Sequence, residues 1–267
     1  MKFLSKEKLV PFICKRSLQP LMHKLYLFSL TGMNYGNANT LGQELTGEKK
    51  LLQYVRNFTG KQTQFVLFDV GANAGNYSIL ASQILKSRSL KIFAFEPSKY
   101  SFDLLISNTK PFSNIRLFNL GFGKAEETVS LYSNYEGSGA TSVYAEAFQY
   151  YNVNRNVVEK VKLETLDGFC LHNAIETIDL LKIDVEGHEL PVLLGGAEMM
   201  KSRKIRFIQF EFGPPHIYSR TFFKDFWDLL SPLYKLYRII TDGIVEIKSY
   251  SENLEIFRTA NFLAILK

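Results

Sequence analysis

FVLFDVGANAG, residues 65–75, encodes an apolar strand that runs directly into a glycine-rich turn. Its first part, Phe65–Val70, is a short and mostly apolar run, which is typical of a strand buried on both faces of a sheet. A helix-period segment, Gly75–Lys86, follows the turn. Glycine at such a turn permits a positive φ and a close approach of a ligand, and the helix start offers unpaired N–H groups. The stretch therefore predicts the first strand–turn–helix unit of an α/β fold, with a ligand loop at the turn.

Strands and helix-period segments alternate along the rest of the chain, which is typical of a mostly parallel sheet covered by helices. Six more strands are predicted, at Lys91–Glu96, Ile115–Leu120, Ile178–Asp184, Ile205–Glu211, Tyr234–Ile240 and Phe262–Leu266. The last two are expected to form an antiparallel pair at an edge. Further helices are predicted at Tyr100–Asn108, Glu189–Met200 and Thr221–Leu230. The predicted fold class is α/β, with a doubly wound, seven-stranded, Rossmann-like sheet.

Two segments fall outside this alternation. Residues 1–60 are predicted to form an N-terminal helical extension, which leaves residues 61–267 as one α/β domain. A polar insertion, Tyr132–Asn156, separates the third strand from the fourth and contains Gly137, Gly139 and several tyrosines. Long loops at such a position commonly carry function, so the insertion is expected to be a lid or a substrate loop.

The composition is that of an ordinary globular protein, with 46% hydrophobic residues, a net charge of +6 and a pI near 9.1. The two cysteines, Cys14 and Cys170, are far apart and lack metal-ligand spacing, which argues against a disulfide framework or a zinc ribbon. A basic patch near the start could attract nucleic acid or anionic lipid. We interpret it as a solvated face and expect no nucleic-acid partner.

Two apolar runs near the N-terminus, Leu9–Cys14 and Leu25–Leu30, are separated by charged residues and are too short to span a bilayer. They lack a small-residue cleavage site, so we expect no signal peptide and a cytoplasmic protein. Both runs could form short amphipathic helices that cap the domain or make peripheral contact with a membrane surface.

An acidic residue, Glu96, ends the second predicted strand, where it could accept hydrogen bonds from both hydroxyls of a ribose. The turn before it reads Gly-x-Asn-x-Gly, which differs from the Gly-x-Gly-x-x-Gly of dinucleotide-binding folds. Asp69 would repel a pyrophosphate but could pair with an ammonium. This chemistry favours S-adenosylmethionine, which carries an amine and a carboxylate, over NAD. The candidate cofactor-binding residues are Asp69, Gly71, Asn73, Gly75, Asn76 and Glu96.

A second set of ionisable residues alternates at the end of the fourth predicted strand, and Glu211 ends the fifth. The carboxyl ends of parallel strands are where an open α/β sheet binds its ligands. The candidate catalytic residues are therefore Asp184, Glu186, His188 and Glu211.

Three roles stay open for this second set. His188 could act as a general base toward the hydroxyl of an acceptor. Asp184 and Glu211 could instead hold a divalent cation, Mg²⁺ or Mn²⁺, as a Lewis acid, with Glu186 or His188 nearby. The third role is structural: Lys182 would pair with Asp184, and Glu186 would bond to the start of the next helix.

Three segments in order resemble the motifs of the FkbM family of methyltransferases: Phe68–Ser78, Phe95–Pro97 and Leu181–Leu190. With shorter supporting matches, the resemblance runs from Thr46 to Gly213 and leaves both ends of the chain uncovered. It implies S-adenosylmethionine-dependent O-methylation of a hydroxyl group on a sugar, a glycolipid or another natural product.

The resemblance also locates the expected ligands. The cofactor is expected over the carboxyl ends of the first three strands, and a small-molecule or glycan acceptor between the insertion Tyr132–Asn156 and the turn Asp184–His188. Two alternatives stay open. One is a cofactor-binding protein without catalysis, and the other is an RNA methyltransferase, which the basic pI suggests. The chain lacks the Asn/Asp-Pro-Pro-Tyr/Phe motif that N-methylating enzymes commonly carry.

Overall fold

A large mixed sheet, a smaller second sheet and surrounding helices make up the part of the chain that the computed structural model describes, namely residues 10–11, 13–36, 46–59, 64–85, 89–133, 141–145 and 157–267. The strands in chain order are β1 (Phe65–Val70), β2 (Leu90–Phe95), β3 (Ile115–Phe118), β4 (Gly121–Phe122), β5 (Glu127–Ser133), β6 (Thr141–Ser142), β7 (Val157–Glu164), β8 (Ile178–Ile183), β9 (Ile205–Phe212), β10 (Tyr234–Ile240), β11 (Gly243–Ile247) and β12 (Ala260–Leu266).

The helices lie between these strands and before the first of them. They are α1 (Gln19–Gly32), α2 (Glu48–Thr59), α3 (Asn76–Leu85), α4 (Lys99–Thr109), α5 (Leu166–His172), α6 (Glu189–Leu194), α7 (Ala197–Lys201), α8 (Pro215–Ser219) and α9 (Phe223–Leu230). Short 3₁₀ turns occur at Arg16–Leu18 and Glu252–Leu254. Within the described ranges, no helix is long and apolar enough to cross a membrane.

The main sheet has eight strands in the order β11-β10-β12-β9-β8-β1-β2-β3. β1, β2, β3, β8 and β9 run parallel, so their carboxyl ends meet at one edge. From β1 the chain builds the sheet first toward β3 and later in the other direction toward β9. A crevice opens at the carboxyl edge where the strand order reverses, between β1 and β8. The predicted doubly wound α/β sheet is confirmed.

The last strands differ from the prediction in one respect. β10 and β12 pair antiparallel as predicted, with Arg238 opposite Phe262. However, β12 lies between β9 and β10, and the edge of the sheet is β11, so the predicted edge position was wrong. β11 is an eighth strand that the sequence analysis missed. Its residues are partly or fully exposed, which left no buried apolar run to signal it.

A second sheet, in the order β4-β7-β5-β6, occupies the region between β3 and β8. The sequence analysis predicted only a polar insertion there. Apolar and charged residues nevertheless alternate along β7, where Val161 and Leu163 are buried while Lys160 and Lys162 are exposed. Its charged outward positions made the segment resemble a loop, although one face is apolar.

The helix predicted at Glu189–Met200 is divided in two by Gly195 and Gly196. A Cβ atom on Gly195 would lie 2.1 Å from the carbonyl oxygen of Gly123, and one on Gly196 would lie 2.6 Å from Leu166 Cδ2. The two glycines thus let the chain after β4 and the start of α5 pack directly against the break between α6 and α7.

Two hydrophobic clusters cover the two faces of the main sheet. One cluster contains an aromatic group in which Phe169 of α5 makes edge-on contacts with Phe68, Phe95 and Phe118. The other face is covered by α3 and α2. Ring edges directed at ring faces stabilise such clusters beyond the area that they bury.

Helix α2 lies within the segment predicted as the N-terminal extension, and it contributes core residues. Leu51, Leu52 and Val55 are buried in the same cluster as Tyr77 and Ala81 of α3. Part of the extension therefore stabilises the α/β domain directly. The division of the chain at residue 60 stays a prediction.

The turn after β1 is fastened between the neighbouring strands β2 and β8. The N–H groups of Gly71 and Ala72 both donate to the carbonyl oxygen of Phe95, and the N–H of Asp184 donates to that of Val70. Gly71 has a φ of +81°, and a Cβ atom at this position would lie 1.8 Å from the carbonyl oxygen of Asp184. Only glycine fits here, because both the backbone conformation and the space exclude a side chain.

We expect Gly71→Ala to lower the free energy of unfolding by at least about 2 kcal/mol, since it combines a left-handed backbone with a backbone clash. Equilibrium unfolding in urea measures this loss. Gly243→Ala is the matched control, because no heavy atom lies within 4 Å of the added Cβ and its φ is not positive. We expect the control to change stability by less than about 1 kcal/mol. Equal losses in both variants would contradict the assigned constraint.

Candidate functional site

A cavity opens at the carboxyl edge of the main sheet, beneath the second sheet. Its floor is formed by the ends of β1, β2 and β8 and by the turns after them: Val70, Gly71, Asn73, Glu96, Pro97, Asp184, Val185, Glu186 and His188. Its roof is mainly apolar: Gly121, Phe122, Leu131, Thr141, Val143, Val161 and Leu163. The cavity therefore lies in the crevice where this class of sheet binds its ligands.

Glu96 is fixed at the floor of the cavity by the glycine-rich turn. Its Oε2 accepts a hydrogen bond from the N–H of Asn73, and its Oε1 accepts one from the N–H of Ser98, each at 2.9 Å. Burial raises the pKa of Glu96 to about 7, although the two N–H donors act in the opposite direction. Asn73 makes its bond from a left-handed backbone conformation, with a φ of +47°. The carboxylate is thus oriented before any ligand binds, with lone pairs left to accept further hydrogen bonds.

Three of the six predicted cofactor residues line the cavity: Gly71, Asn73 and Glu96. Asp69 is fully buried below it and accepts a hydrogen bond from Ser78 Oγ at 2.6 Å. The other two, Gly75 and Asn76, are not part of the cavity lining.

Gly75 fits against helix α4, since a Cβ atom there would lie 2.7 Å from Leu105 Cδ1. Asn76 is exposed at the first position of α3. Neither residue lines the cavity. Gly75 packs against α4, and Asn76 lies on the surface.

Lys182 places a positive charge directly beneath the floor. Its Nζ lies 3.1 Å from Asp184 Oδ2 and 3.6 Å from Asp69 Oδ1, and it sits 4.9 Å from the centre of the Tyr77 ring. Burial alone would lower the pKa of Lys182, but the carboxylates of Asp184, Asp69 and Glu48 outweigh it and raise the pKa. Lys182 is thus the ion-pair partner of Asp184, as in the structural role considered from the sequence.

A hydrogen-bonded chain extends from this charge into the N-terminal region. Tyr77 OH donates to Gln209 Oε1 at 2.6 Å, and Gln209 Nε2 donates to Glu48 Oε1 at 3.2 Å. Burial raises the pKa of Glu48, an effect that the charge of Lys182 opposes. Sequence reasoning missed Gln209 and Glu48. Their only signal was a polar residue within the apolar strand β9 and an acidic residue at a helix start.

The turn after β8 brings Glu186 into the cavity wall. Glu186 has a left-handed backbone with a φ of +51°, and its carbonyl oxygen accepts a hydrogen bond from Ser142 Oγ at 2.8 Å. Burial, followed by the neighbouring carboxylates of Asp184 and Glu189, raises the pKa of the Glu186 side chain to about 8. A non-glycine residue in this conformation costs energy, so the contacts around the turn must hold it in place.

Glu189, the first residue of α6, holds the turn that precedes the helix. Its carboxylate accepts the N–H groups of Val185 and Gly187, each at 2.9 Å, and His216 Nε2 lies 2.9 Å from its Oε2. Burial alone would raise the pKa of Glu189, but His216 and these N–H donors lower it overall. His216 therefore supports the turn from behind and does not line the cavity.

His188 lines the cavity and contacts a tyrosine from the insertion. Its Nδ1 lies 3.1 Å from Tyr144 OH. Burial lowers the pKa of His188, which keeps the imidazole neutral at neutral pH, and burial raises the pKa of Tyr144 to about 12. Sequence reasoning missed Tyr144 individually, although it noted tyrosines in the insertion. Gly137 and Gly139, which suggested a moving lid, lie outside the described residues.

Glu211 does not line the cavity, although it lies close enough to the acidic residues of the turn after β8 to be affected by their charges. Its pKa is raised well above the usual range by burial, and then by the carboxylates of Asp184, Glu186 and Glu189. In the described part of the chain, no three His, Cys, Asp or Glu side chains are grouped to hold a metal ion. The cation nearest to Asp184 is the ammonium of Lys182.

Comparison with known proteins gives a family match and several distant relatives. A family model described as the methyltransferase FkbM domain matches residues 69–239, more than half of the chain. The 2-O-methyltransferase NoeI of Sinorhizobium fredii is 27% identical over 166 residues, covering 58% of this chain and 65% of that protein. The AMB antimetabolite synthetase AmbE of Pseudomonas aeruginosa is 28% identical over 210 residues, covering 66% of this chain and 10% of that protein.

A third relative is the hexuronic acid methyltransferase AglP of Haloferax volcanii. It is 25% identical over 162 residues, covering 60% of this chain and 61% of that protein. The chain thus spans less than two thirds of the length of each of these relatives. The family match begins at Asp69, in the turn that forms the cavity floor, and it includes Glu96 and the whole turn Asp184–His188. The chain therefore belongs to the FkbM family of methyltransferases.

Proposed function

We propose that the protein is an S-adenosylmethionine-dependent O-methyltransferase that methylates a hydroxyl group of a sugar, a glycolipid or another natural product. One observation carries this proposal: a single cavity is lined both by Glu96 and the glycine-rich turn after β1 and by Glu186 and His188 of the turn after β8. Family membership supports methyl transfer as the reaction. The names of two relatives, a 2-O-methyltransferase and a hexuronic acid methyltransferase, support a sugar hydroxyl as the acceptor.

Glu96 and the glycine-rich turn after β1 fit a nucleoside that carries a charged amino-acid tail. Glu96 offers a fixed carboxylate to the ribose hydroxyls, and Gly71 and Asn73 line the cavity beside it, where the tail would lie. Phe122 and Leu163 in the roof provide an apolar surface for a flat base. Asp69 would act indirectly, by holding Lys182 beneath the floor, and Gly75 and Asn76 would shape the helix start. When bound, the cofactor would supply a methyl group activated by a sulfonium.

Methyl transfer also requires the chain to remove a proton from a weakly acidic hydroxyl as the hydroxyl oxygen gains the methyl group. Residues of the turn after β8 are proposed for this role. Glu186 is the proposed general base, because it lines the cavity and its raised pKa of about 8 makes it more basic than an ordinary glutamate. Glu186 would accept the hydroxyl proton as the oxygen takes the methyl group from the cofactor, which would leave as S-adenosylhomocysteine. His188, neutral and held by Tyr144, would orient the hydroxyl.

The described part of the insertion supports its proposed role in receiving the acceptor. Thr141 and Val143 line the cavity, Ser142 holds the backbone of Glu186, and Tyr144 holds His188. These contacts would bring the acceptor between the second sheet and the turn after β8. Residues 134–140 and 146–156 of the insertion lie outside the described ranges.

We expect Glu96→Ala to weaken binding of S-adenosylhomocysteine by about 10- to 100-fold, since loss of charge-assisted hydrogen bonds costs about 1.5–3 kcal/mol. Isothermal titration calorimetry measures the dissociation constant. Glu246→Ala, at an exposed position on β11, is the control and should bind like the wild type. The wild type should give no heat with NAD.

The same measurement has a pH dependence with a defined sign. Because burial raises the pKa of Glu96 to about 7, protonation below that pH removes an acceptor, and affinity should fall as the pH drops through 7. Glu96→Gln does not titrate and should lack this dependence. Absence of binding by the wild type, or unchanged binding by Glu96→Ala, would refute the proposed cofactor site.

We expect Glu186→Gln to lower kcat by about 100-fold or more, the usual contribution of a general base, with the affinity for S-adenosylhomocysteine nearly unchanged. The assay is methyl transfer to a panel of neutral sugars and hexuronic acid glycosides. The wild-type rate should rise with pH through about 8, as Glu186 loses its proton. An inflection below about pH 6.5, together with inactive His188→Ala, would identify His188 as the base instead.

The metal hypothesis is tested with the same assay after exhaustive treatment with EDTA. We expect the rate to survive, because the ammonium of Lys182 already pairs with Asp184. Loss of activity that Mg²⁺ or Mn²⁺ restores would contradict this expectation and would support Asp184 and Glu211 as ligands. No turnover with any acceptor, despite cofactor binding, would favour a non-catalytic cofactor-binding protein.

A further inference from the structure

Helix α1 carries an apolar face that the described part of the chain leaves uncovered. Leu21, Leu25 and Phe28 follow one another at helical spacing and are 49%, 50% and 77% exposed. Leu30 lies roughly 140–180° around the helix from each of these three, at 100° per residue, and is buried in the core. The helix thus presents leucine and phenylalanine outward, where a surface helix ordinarily has polar residues.

Positive charge accompanies this face. Residues 10–36 contain no aspartate or glutamate, while Lys15, Arg16 and Lys24 supply cations. Arg16 and Lys24 are exposed, and Lys24 lies roughly 60° around the helix from Leu21, beside the apolar face. An apolar face with cations beside it is the composition of helices that lie in the interface of an anionic bilayer.

The chain after α1 is attached to the edge of the sheet that carries the cavity. Asn34 Nδ2 donates to the carbonyl oxygen of Ile239 at 3.3 Å, and the N–H of Gly36 donates to that of Thr259 at 2.7 Å. Ile239 lies near the end of β10, and Thr259 precedes β12, which begins opposite Phe212 at the carboxyl end of β9. The apolar helix therefore leaves the fold on the cavity side.

We propose that α1 binds an anionic membrane surface, with Leu21, Leu25 and Phe28 in the interface and Arg16 and Lys24 at the headgroups. The helix has 14 residues, about 21 Å at 1.5 Å per residue, so it lies on the bilayer and does not cross the roughly 30 Å core. A second copy of the chain is a poorer occupant, because two cationic segments without carboxylates repel each other. This inference is independent of the proposed methyl transfer.

Sedimentation of the full chain with lipid vesicles tests the proposal. The wild type should bind vesicles of phosphatidylcholine with phosphatidylserine and should bind phosphatidylcholine alone weakly. Phe28→Glu should reduce binding to the anionic vesicles by about tenfold or more, because it places a charge in the apolar face, and Lys24→Glu should reduce it less. Leu171→Glu is the matched control at an 80% exposed leucine of α5, and it should bind like the wild type.

Tryptophan fluorescence supplies a second measurement that does not depend on loss of binding. Phe28→Trp should show a blue shift and quenching by brominated lipid when anionic vesicles are added, whereas Leu171→Trp should show neither. Failure of the wild type to sediment with anionic vesicles overturns the proposal. It is also overturned if Phe28→Glu and Leu171→Glu lose binding equally, or if light scattering shows a dimer that Phe28→Glu dissociates without any vesicle binding.

Discussion

The arrangement of the site depends on the ion pairs that the buried ammonium of Lys182 forms with Asp69 and Asp184. The register places Asp69, Lys182 and Gln209 side by side on β1, β8 and β9, at the end of the sheet face that α2 and α3 cover. The ammonium lies between Asp69 and Asp184, so the carboxyl ends of β1 and β8 are joined by charge as well as by the backbone. Removing one partner of a buried ion pair costs about 3–5 kcal/mol, because the other charge is then left buried and unpaired.

One ammonium is shared among more carboxyl groups than it can neutralise, and this imbalance sets the chemistry of the cavity. Asp69 and Asp184 are nearest to it, while burial and the neighbouring carboxylates raise the pKa values of Glu186 and Glu211. Like charges in a poorly hydrated group cannot all be ionised at once, so a proton is retained at neutral pH. Burial, together with this crowding, raises the pKa of Glu186 in the cavity wall to about 8.

The second sheet explains why these groups are poorly hydrated. Its apolar face, which includes Leu131, Val161 and Leu163, covers the floor formed by the main sheet. The same sheet contributes the strand that carries Ser142, and Tyr144 follows directly after it, so the roof and the turn after β8 are joined by hydrogen bonds. In the proposed reaction, a dry roof would also favour methyl transfer, because the charge of the sulfonium is lost as the reaction proceeds.

The sequence by itself determined the parallel strands of the main sheet and the part of the cavity lining that follows β1 and β2. A continuous apolar strand followed by glycines has few alternative structures, and an acidic residue after the next strand must lie at the same edge, so Gly71, Asn73 and Glu96 could be placed together. Only the tertiary structure decided that Asp69 faces Lys182, that Glu189 holds the turn after β8, and that a second sheet forms the roof. Those outcomes depend on contacts between residues distant in the chain, and local periodicity carries no information about which buried charges share a partner.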